Sequence, residues 1–389
     1  MSEPHVSQEV RPIIRIVICG FGEIASKAHF PAIQRVPHQF RLVAIVDPNT
    51  ESVQQRLSKS SHPNASDILV YKTLLDCIND MKQSIDAISV CTPSSVTLNL
   101  AQTALECNSY GRNNIHVLVE KPPGNWRRLQ RLKHLAMCSK SAFFTAYHTA
   151  ACVGHKHIVQ WLNAHIHELQ SVHVTWKESV RKWHPKQYWI TKKQMSKTDN
   201  DASADSDKTK EDEYCAAEGV LDMVFNPLSL LHALLGQLTY RSSTLIVPSN
   251  WETPIEGTFE LAISCHGAHD ENKTDGIPVT GDFAWNYEPS DSSNDDGEDD
   301  SEEIWNIYFQ SAKSALHLKD GGSQVYVDGH RVTTQPTSAY PLQPEYENLY
   351  DRFYNLVCQR KCHVDDATPK LLEEIQINSA RSVGPPYNL

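Results

Sequence analysis

"IIRIVICGFGEIA", residues 13–25, decides how the rest of the chain is read. Residues 13–19 are an apolar run of the kind buried on both faces of a parallel sheet. Gly20-Phe21-Gly22-Glu23-Ile24-Ala25 follows without a gap, and a helical pattern continues toward Val36. Alone, a G-x-G-x-x-[GA] stretch is weak evidence. Here it leaves a strand, opens a helix and is followed, about 20 residues on, by an acid, Asp47, at the tip of the next apolar run. Gly20 permits the tight turn, Gly22 lets a pyrophosphate approach the backbone, and Ala25 keeps the helix close to the sheet. Free N–H groups and the helix dipole would hold the phosphates. The pattern predicts a dinucleotide site; the alternative is a merely structural turn.

Further strand patterns lie at 41–46, 87–91, 117–119 and 143–145, with helical stretches between them such as 96–107. Strands alternating with helices predict a doubly wound parallel sheet, because parallel neighbours need helical crossovers. Asp47 either caps the following loop or accepts hydrogen bonds from the adenosine ribose. A carboxylate there repels a 2′-phosphate, so NAD is favoured and NADP is the alternative. Cys91-Thr92-Pro93 ends a strand on the same carboxyl edge, where such sheets bind ligands, and is a candidate wall for the nicotinamide. The run HVLVEKPP, 116–123, ends a buried strand in Glu120 and Lys121 and stops it with two prolines.

The chain has 389 residues and a net charge of −11. That length suits two domains, with the division expected at 1–148 and 149–389. The acidic balance argues against nucleic acid or an anionic membrane as partner. No run approaches the ~20 apolar residues of a membrane helix, and the polar start MSEPHVSQEVRP does not resemble a signal peptide. Ten scattered cysteines, some within strand patterns, suggest a reducing, cytoplasmic setting, and no metal site is expected. Two polar stretches, 192–213 and 291–303, read as insertions.

After Tyr147-His148 a helix is expected at 149–164. Strands then dominate, at 171–176, 244–247, 259–264, 304–309 and 324–327, which predicts a mostly antiparallel sheet. A helical run, 219–235 (GVLDMVFNPLSLLHALL), interrupts them. Asp222 and Asn226 are four residues apart and share a helical face amid apolar neighbours. They either cap a turn before Pro227 or serve a site, since an acid in an apolar helix is costly unless paired or functional. Residues 176–185 (WKESVRKWHP) combine aromatic faces with convergent polar groups, which suits a polyhydroxylated ligand. An ordinary strand edge is the alternative. The tail, 345–357 and 369–380, reads as helix packed beside the nucleotide domain.

Gly20-Phe21-Gly22, Cys91-Thr92-Pro93 and Glu120-Lys121-Pro122 together resemble the glucose–fructose oxidoreductase/inositol dehydrogenase (Gfo/Idh/MocA) family. The stretches 176–189, 219–231 and 345–357 are similar to its bacterial D-galactose and L-arabinose 1-dehydrogenase branch. The resemblance implies an α/β protein: an N-terminal Rossmann domain with a doubly wound parallel sheet, then a C-terminal α/β domain whose mostly antiparallel open sheet often forms a homo-oligomer. It implies that the Lys-Pro turn, commonly cis, delivers Lys121 to the nicotinamide and the substrate, with Glu120 holding the turn. Many members carry a histidine base four residues after an aspartate. Here that position is Asn226, which takes no proton at neutral pH, so the histidine mechanism does not transfer. The sequence departs from the branch at Asp47, where a small polar residue is frequent, and at Met223-Val224, where Pro-Gly is.

The implied activity is NAD(P)-dependent oxidation of the anomeric carbon of a pyranose, D-galactose or L-arabinose, to a lactone. Hydride leaves C1 and the O1 proton passes to a base. Asp222 is the first choice for that base and Lys121 the rival; Asn226 orients hydroxyls. Glu178, His184 and His148 are candidate sugar ligands, with Trp183 as apolar wall. Another polyol or diol, or a non-catalytic dinucleotide or sugar sensor, is the alternative.

Overall fold

The computed structural model describes residues 12–59, 65–81, 84–107, 114–179, 221–249, 253–263, 276–285, 303–333 and 342–384. Trp183, His184 and both polar insertions lie outside these residues. The chain divides into two compact units, one drawn from Met1–Glu120, Arg128–Ala146 and Ser338–Val364, the other from Lys121–Arg127, Tyr147–Thr337 and Asp365–Leu389. The division is thus interleaved where the sequence suggested one cut at 148/149.

In the first unit β1 (Ile14–Cys19), β2 (Phe40–Val46), β3 (Leu69–Tyr71), β4 (Ala87–Val90), β5 (His116–Glu120) and β6 (Phe143–Ala146) form a parallel sheet in the order β3-β2-β1-β4-β5-β6. This is the doubly wound order whose ligands bind at the carboxyl ends of the strands. The crossovers are α1 (Phe30–Arg35), α2 (Thr50–Ser58), α3 (Leu74–Met81), α4 (Ser94–Cys107) and α5 (Trp126–Cys138). β4 and β5 are buried at every position. That explains their apolar runs. β3, with only three residues and none fully buried, has too little pattern to be read from sequence. The helix Gln343–Gln359 belongs to this unit, its Phe353 stacking on Phe40 and Phe144 at 6.0 Å each.

The second unit carries α6 (His155–His165), β7 (Leu169–Glu178), α7 (Leu221–Leu235), β8 (Leu238–Pro248), β9 (Glu256–Ile263), β10 (Ile277–Trp285), β11 (Ile304–Ser311), β12 (Ala315–Lys319), β13 (Gln324–Val327) and β14 (His330–Arg331). With the helix at Gln343–Gln359 numbered α8, α9 (Ala367–Asn378) and β15 (Ala380–Gly384) complete it. The nine-stranded sheet runs β14-β13-β12-β11-β7-β10-β9-β8-β15 and is antiparallel except at β7–β10 and β8–β15. Burial alternates along β7, β9 and β10, the mark of a sheet with one covered face.

Two expectations are corrected here. Residues 149–164 are not one helix: Thr149–Ala151 is a 3-10 turn, and α6 starts at His155. Between them Gly154 donates to the Gly322 carbonyl at 3.0 Å and lies so close to it that a Cβ would stand 2.6 Å away. The tail helix α9 belongs to the second unit, where it packs against α7 and β8, and it ends at Asn378, followed by β15, where the sequence suggested helix to residue 380. β10 carries only a weak strand pattern, because Pro278 and Gly281 interrupt it. The fold compensates with reciprocal pairs: Phe259 lies over Gly281 and Phe283 over Gly257 across β9–β10, the rings 5.9 Å apart.

Candidate active site

In the first unit the glycine turn is built as the sequence requires. Gly20 has φ +82, and a Cβ there would stand 2.7 Å from the Cys91 carbonyl and 2.8 Å from Thr92 Cγ2. The glycine turn and the Cys91-Thr92-Pro93 loop after β4 therefore touch. Gly22 faces open space, with nothing within 4 Å of an added Cβ, the room a phosphate needs against the backbone. Helix begins at Glu23 and continues through Ile24. Asp47 closes the far side: Oδ2 accepts from the Phe21 N–H and Oδ1 from the Asn49 N–H, both at 2.8 Å. Each carboxylate oxygen keeps a lone pair for a further donor. Glu23 turns to Lys27 at 2.6 Å and Arg56 at 3.2 Å, so it borders the turn by its backbone. These residues fit a dinucleotide.

The two glycines separate stability from binding. Gly22→Ala is expected to leave the melting temperature unchanged and raise the cofactor KM roughly tenfold by filling the space above the turn. Gly20→Ala is expected to cost roughly 1–3 kcal/mol, because it forces an L residue into a left-handed conformation against a carbonyl. Thermal melts beside cofactor titrations check both; equal melting temperatures for the two variants would contradict this division.

In the second unit Lys121 and Asp222 come together. Lys121 Nζ lies 3.3 Å from Asp222 Oδ2, with side chains 19% and 16% exposed, so the pair is largely shielded but still reaches solvent. Lys121 directly follows β5 and is joined to Pro122 by a cis peptide. The turn is fastened at its far end, where Trp126 and Arg127 hold Glu373. One turn along α7, Asn226 is buried, its Nδ2 donating to Glu178 Oε1 at 3.5 Å, while Trp176 Nε1 donates to the same oxygen at 2.7 Å. Pro227 removes a backbone donor from α7. Independently of that, the Asn226 carbonyl accepts from two hydroxyls, Thr149 at 2.8 Å and Ser229 at 2.9 Å. His148 is buried at the head of the Thr149–Ala151 turn, beside Tyr147, whose ring stacks on Phe225 of α7 at 6.1 Å.

Lys121, Asp222, Asn226 and Glu178 thus form one polar cluster on α7, β7 and the turn after β5. Trp176, part of the candidate segment 176–185, joins the cluster through its indole N–H; the indole and the acid two residues on share one strand face. Sequence reading missed His29 and Tyr346, which meet Glu120 in the first unit, and Tyr350, which meets His29. For those the signal was faint: two tyrosines four apart on one helix face.

Burial raises the Glu178 carboxyl to about 7; the Lys121 ammonium and the Trp176 hydrogen bond oppose it, and Glu303 and Asp222 add to it. The folded value lies above the ordinary 4.5. The stability this group contributes is therefore whole below that ordinary value and is lost as pH rises through about 7. Glu178→Gln does not ionise, so its stability relative to the native chain should improve between pH 5 and pH 8 by roughly 3 kcal/mol. Denaturant unfolding at the two pH values measures this; a pH-independent difference would place the Glu178 titration elsewhere.

No described helix is long and apolar enough to cross a membrane. Residues 14–147 match the family model described as "Oxidoreductase family, NAD-binding Rossmann fold" (GFO_IDH_MocA). The chain is 29% identical over 367 residues to galactose 1-dehydrogenase of Pseudomonas fluorescens, covering 90% of this chain and 91% of that protein. Its fold matches the crystal structure of D-galactose-1-dehydrogenase protein from Rhizobium etli, with TM-score 0.72 and 24% identity over 97% of this chain and 98% of that one. It also matches KijD10, a 3-ketoreductase from Actinomadura kijaniata in complex with NADP and TDP-benzene, with TM-score 0.65 and 14% identity over 96% of this chain and 100% of that one. The fold and the glycine turn define an oxidoreductase that uses a nicotinamide cofactor. Residues 14–147 thus match the NAD-binding Rossmann domain of the Gfo/Idh/MocA family.

Proposed function

We propose that this chain is an aldose 1-dehydrogenase, oxidising the anomeric carbon of a pyranose, D-galactose or L-arabinose, to the lactone. The carrying observation is the Lys121–Asp222 pair at 3.3 Å beside Asn226 and Glu178. An ammonium and a carboxylate meeting at a partly open, otherwise shielded point can polarise a hydroxyl and remove its proton at once. The likeness to galactose 1-dehydrogenase over nearly the whole chain supports the substrate class.

When bound, the nicotinamide cofactor supplies the hydride acceptor. Gly20, Phe21 and Gly22 with the start of the helix at Glu23 and Ile24 would hold its phosphates, and Asp47 its adenosine ribose. Cys91, Thr92 and Pro93 would flank the nicotinamide. With Asp47 held by the Phe21 and Asn49 amides, NAD is favoured over NADP, because a fixed carboxylate repels a 2′-phosphate.

On the substrate, Asp222 takes the proton from the O1 hydroxyl. Lys121 donates to O1 and offsets the negative charge that develops there. Asn226 and Glu178 orient ring hydroxyls; His148, Trp183 and His184 remain proposed ligands. Mixing the protein with NAD or NADP and a panel of aldoses, polyols and diols, and following the absorbance of the reduced cofactor, tests the reading. Turnover on an aldose with a lactone product is expected. Cofactor binding without turnover on any aldose would refute it.

We also propose self-association through the open face of the nine-stranded sheet. Tyr308 stacks there on His317 at 4.1 Å and His317 on Tyr326 at 5.6 Å, with Tyr308 41% exposed. Sedimentation equilibrium is expected to give a dimer or higher oligomer.

A further inference from the structure

The first unit holds a buried polar cluster that the proposed chemistry does not use directly. His29 is fully buried and Glu120 is 4% exposed. His29 Nε2 lies 2.9 Å from Glu120 Oε1, and the Tyr346 hydroxyl donates to the same oxygen at 2.7 Å. On its other side His29 Nδ1 lies 2.8 Å from the Tyr350 hydroxyl oxygen, and that hydroxyl donates to Ser89 Oγ at 3.2 Å. The Glu120 carboxylate only accepts, so the proton between it and the ring is carried by Nε2. Nδ1 faces two hydroxyls, Tyr350 at 2.8 Å and Ser89 at 3.4 Å. Burial alone pulls the imidazole pKa down, but the fields and hydrogen bonds of Cys91, Tyr350 and Glu120 prevail and the net direction is up.

A pair this deep does little for stability as such, since two apolar residues of similar size would often serve as well. Its place in the chain is informative. Glu120 is the last residue of β5, and Lys121 is the next residue. His29 sits in a π-helical turn, Ala25–His29, directly after the glycine turn, with the Phe30 N–H reaching back to the Ala25 carbonyl. Such turns are uncommon inside helices and recur near functional sites. One carboxylate therefore receives an imidazole from the helix after the glycine turn and a hydroxyl from α8, immediately before the lysine assigned to the chemistry.

We propose that His29 is a positioning residue: its Nε2–H hydrogen bond, with that of Tyr346, holds Glu120 and so fixes the backbone from which Lys121 projects. The inference rests on the assignment of Lys121 to the chemistry, but its test is independent of turnover. In the full chain the rate of Lys121 acetylation by acetic anhydride is read by peptide mass spectrometry, with the exposed Lys72 and Lys140 as internal references. His29→Leu is expected to change the Lys121 rate, relative to those references, by about threefold or more, as a small displacement of a reacting group does. His29→Gln, whose amide can donate in place of Nε2–H, is expected to restore it. In turnover, His29→Leu is expected to lower kcat roughly 10²-fold while the cofactor KM changes by less than about threefold.

An unchanged Lys121 rate in folded His29→Leu overturns the proposal, and so does a glutamine variant as altered as the leucine one, which would make the effect one of packing. If His29→Leu does not fold, Tyr346→Phe decides, because it removes one hydroxyl from the same carboxylate. A smaller shift in the same direction supports the proposal and no shift overturns it. Changed labelling in a protein that oxidises no aldose leaves the positioning role standing and refutes the aldose reading. Aldose turnover with unchanged labelling does the reverse.

Discussion

Lys121→Met should lower kcat on the best aldose by roughly 10²–10⁴-fold, the range for losing a general acid–base or charge-stabilising group. Methionine keeps most of the length and apolar stem of lysine, so packing around the side chain changes little while the ammonium disappears. The ammonium lies 3.3 Å from Asp222 Oδ2, and its field lowers the buried Glu178 carboxyl. Its removal leaves two carboxyl groups facing one cluster, and Glu178 should shift further up. The variant's kcat should therefore also fall more steeply with rising pH than the native enzyme's, as Glu178 ionises near a developing oxyanion without compensation. The glycine turn and Asp47 are untouched, so the cofactor KM should stay within about threefold. Lys121→Arg should not restore activity, since a planar guanidinium cannot replace a compact ammonium with three rotatable donors. Steady-state kinetics across pH for the three proteins provide the comparison. A methionine variant with near-native kcat would remove Lys121 from the chemistry.

The nucleotide half was legible because its constraints are local. β1, the glycine turn and the acid at the tip of β2 lie within one strand–helix–strand unit, and only glycine suits the turn at Gly20, whose φ is +82. The Lys121–Asp222 pair is 101 residues apart in sequence, and no periodicity connects such positions. Family resemblance suggested the pair, and the geometry brings it together. The His29–Glu120–Tyr346 cluster escaped because each member alone reads as ordinary core: a histidine in a short helix, an acid at a strand end, a tyrosine on an amphipathic face. Their shared function as partners exists only after β5, the π-helical turn Ala25–His29 and α8 assemble. β10 escaped for a different reason, since the rings that cover its glycine belong to a neighbouring strand and cannot be inferred from local pattern.

The same long-range pairing predicts how Asp222 behaves. Asp222→Ala should lower kcat by roughly 10²–10⁴-fold with little change in cofactor affinity. Asp222→Asn should be no better, because an amide of the same shape cannot take up the O1 proton. If Asp222 is the base, the activity left in both variants should climb with pH, as hydroxide or a deprotonated Lys121 takes over the proton. If Lys121 is itself the base and Asp222 only orients it, the asparagine variant should recover much of the loss at neutral pH, because the amide oxygen still accepts from Nζ. The double variant sharpens the distinction between shared and separate roles. Groups acting as one unit are non-additive, so Lys121→Met combined with Asp222→Ala should be no slower than the worse single variant. Losses that multiply would mean that the two side chains, though 3.3 Å apart, serve independent steps. A parallel collapse of cofactor binding in Asp222→Ala would instead make its carboxylate a structural support of the turn after β5.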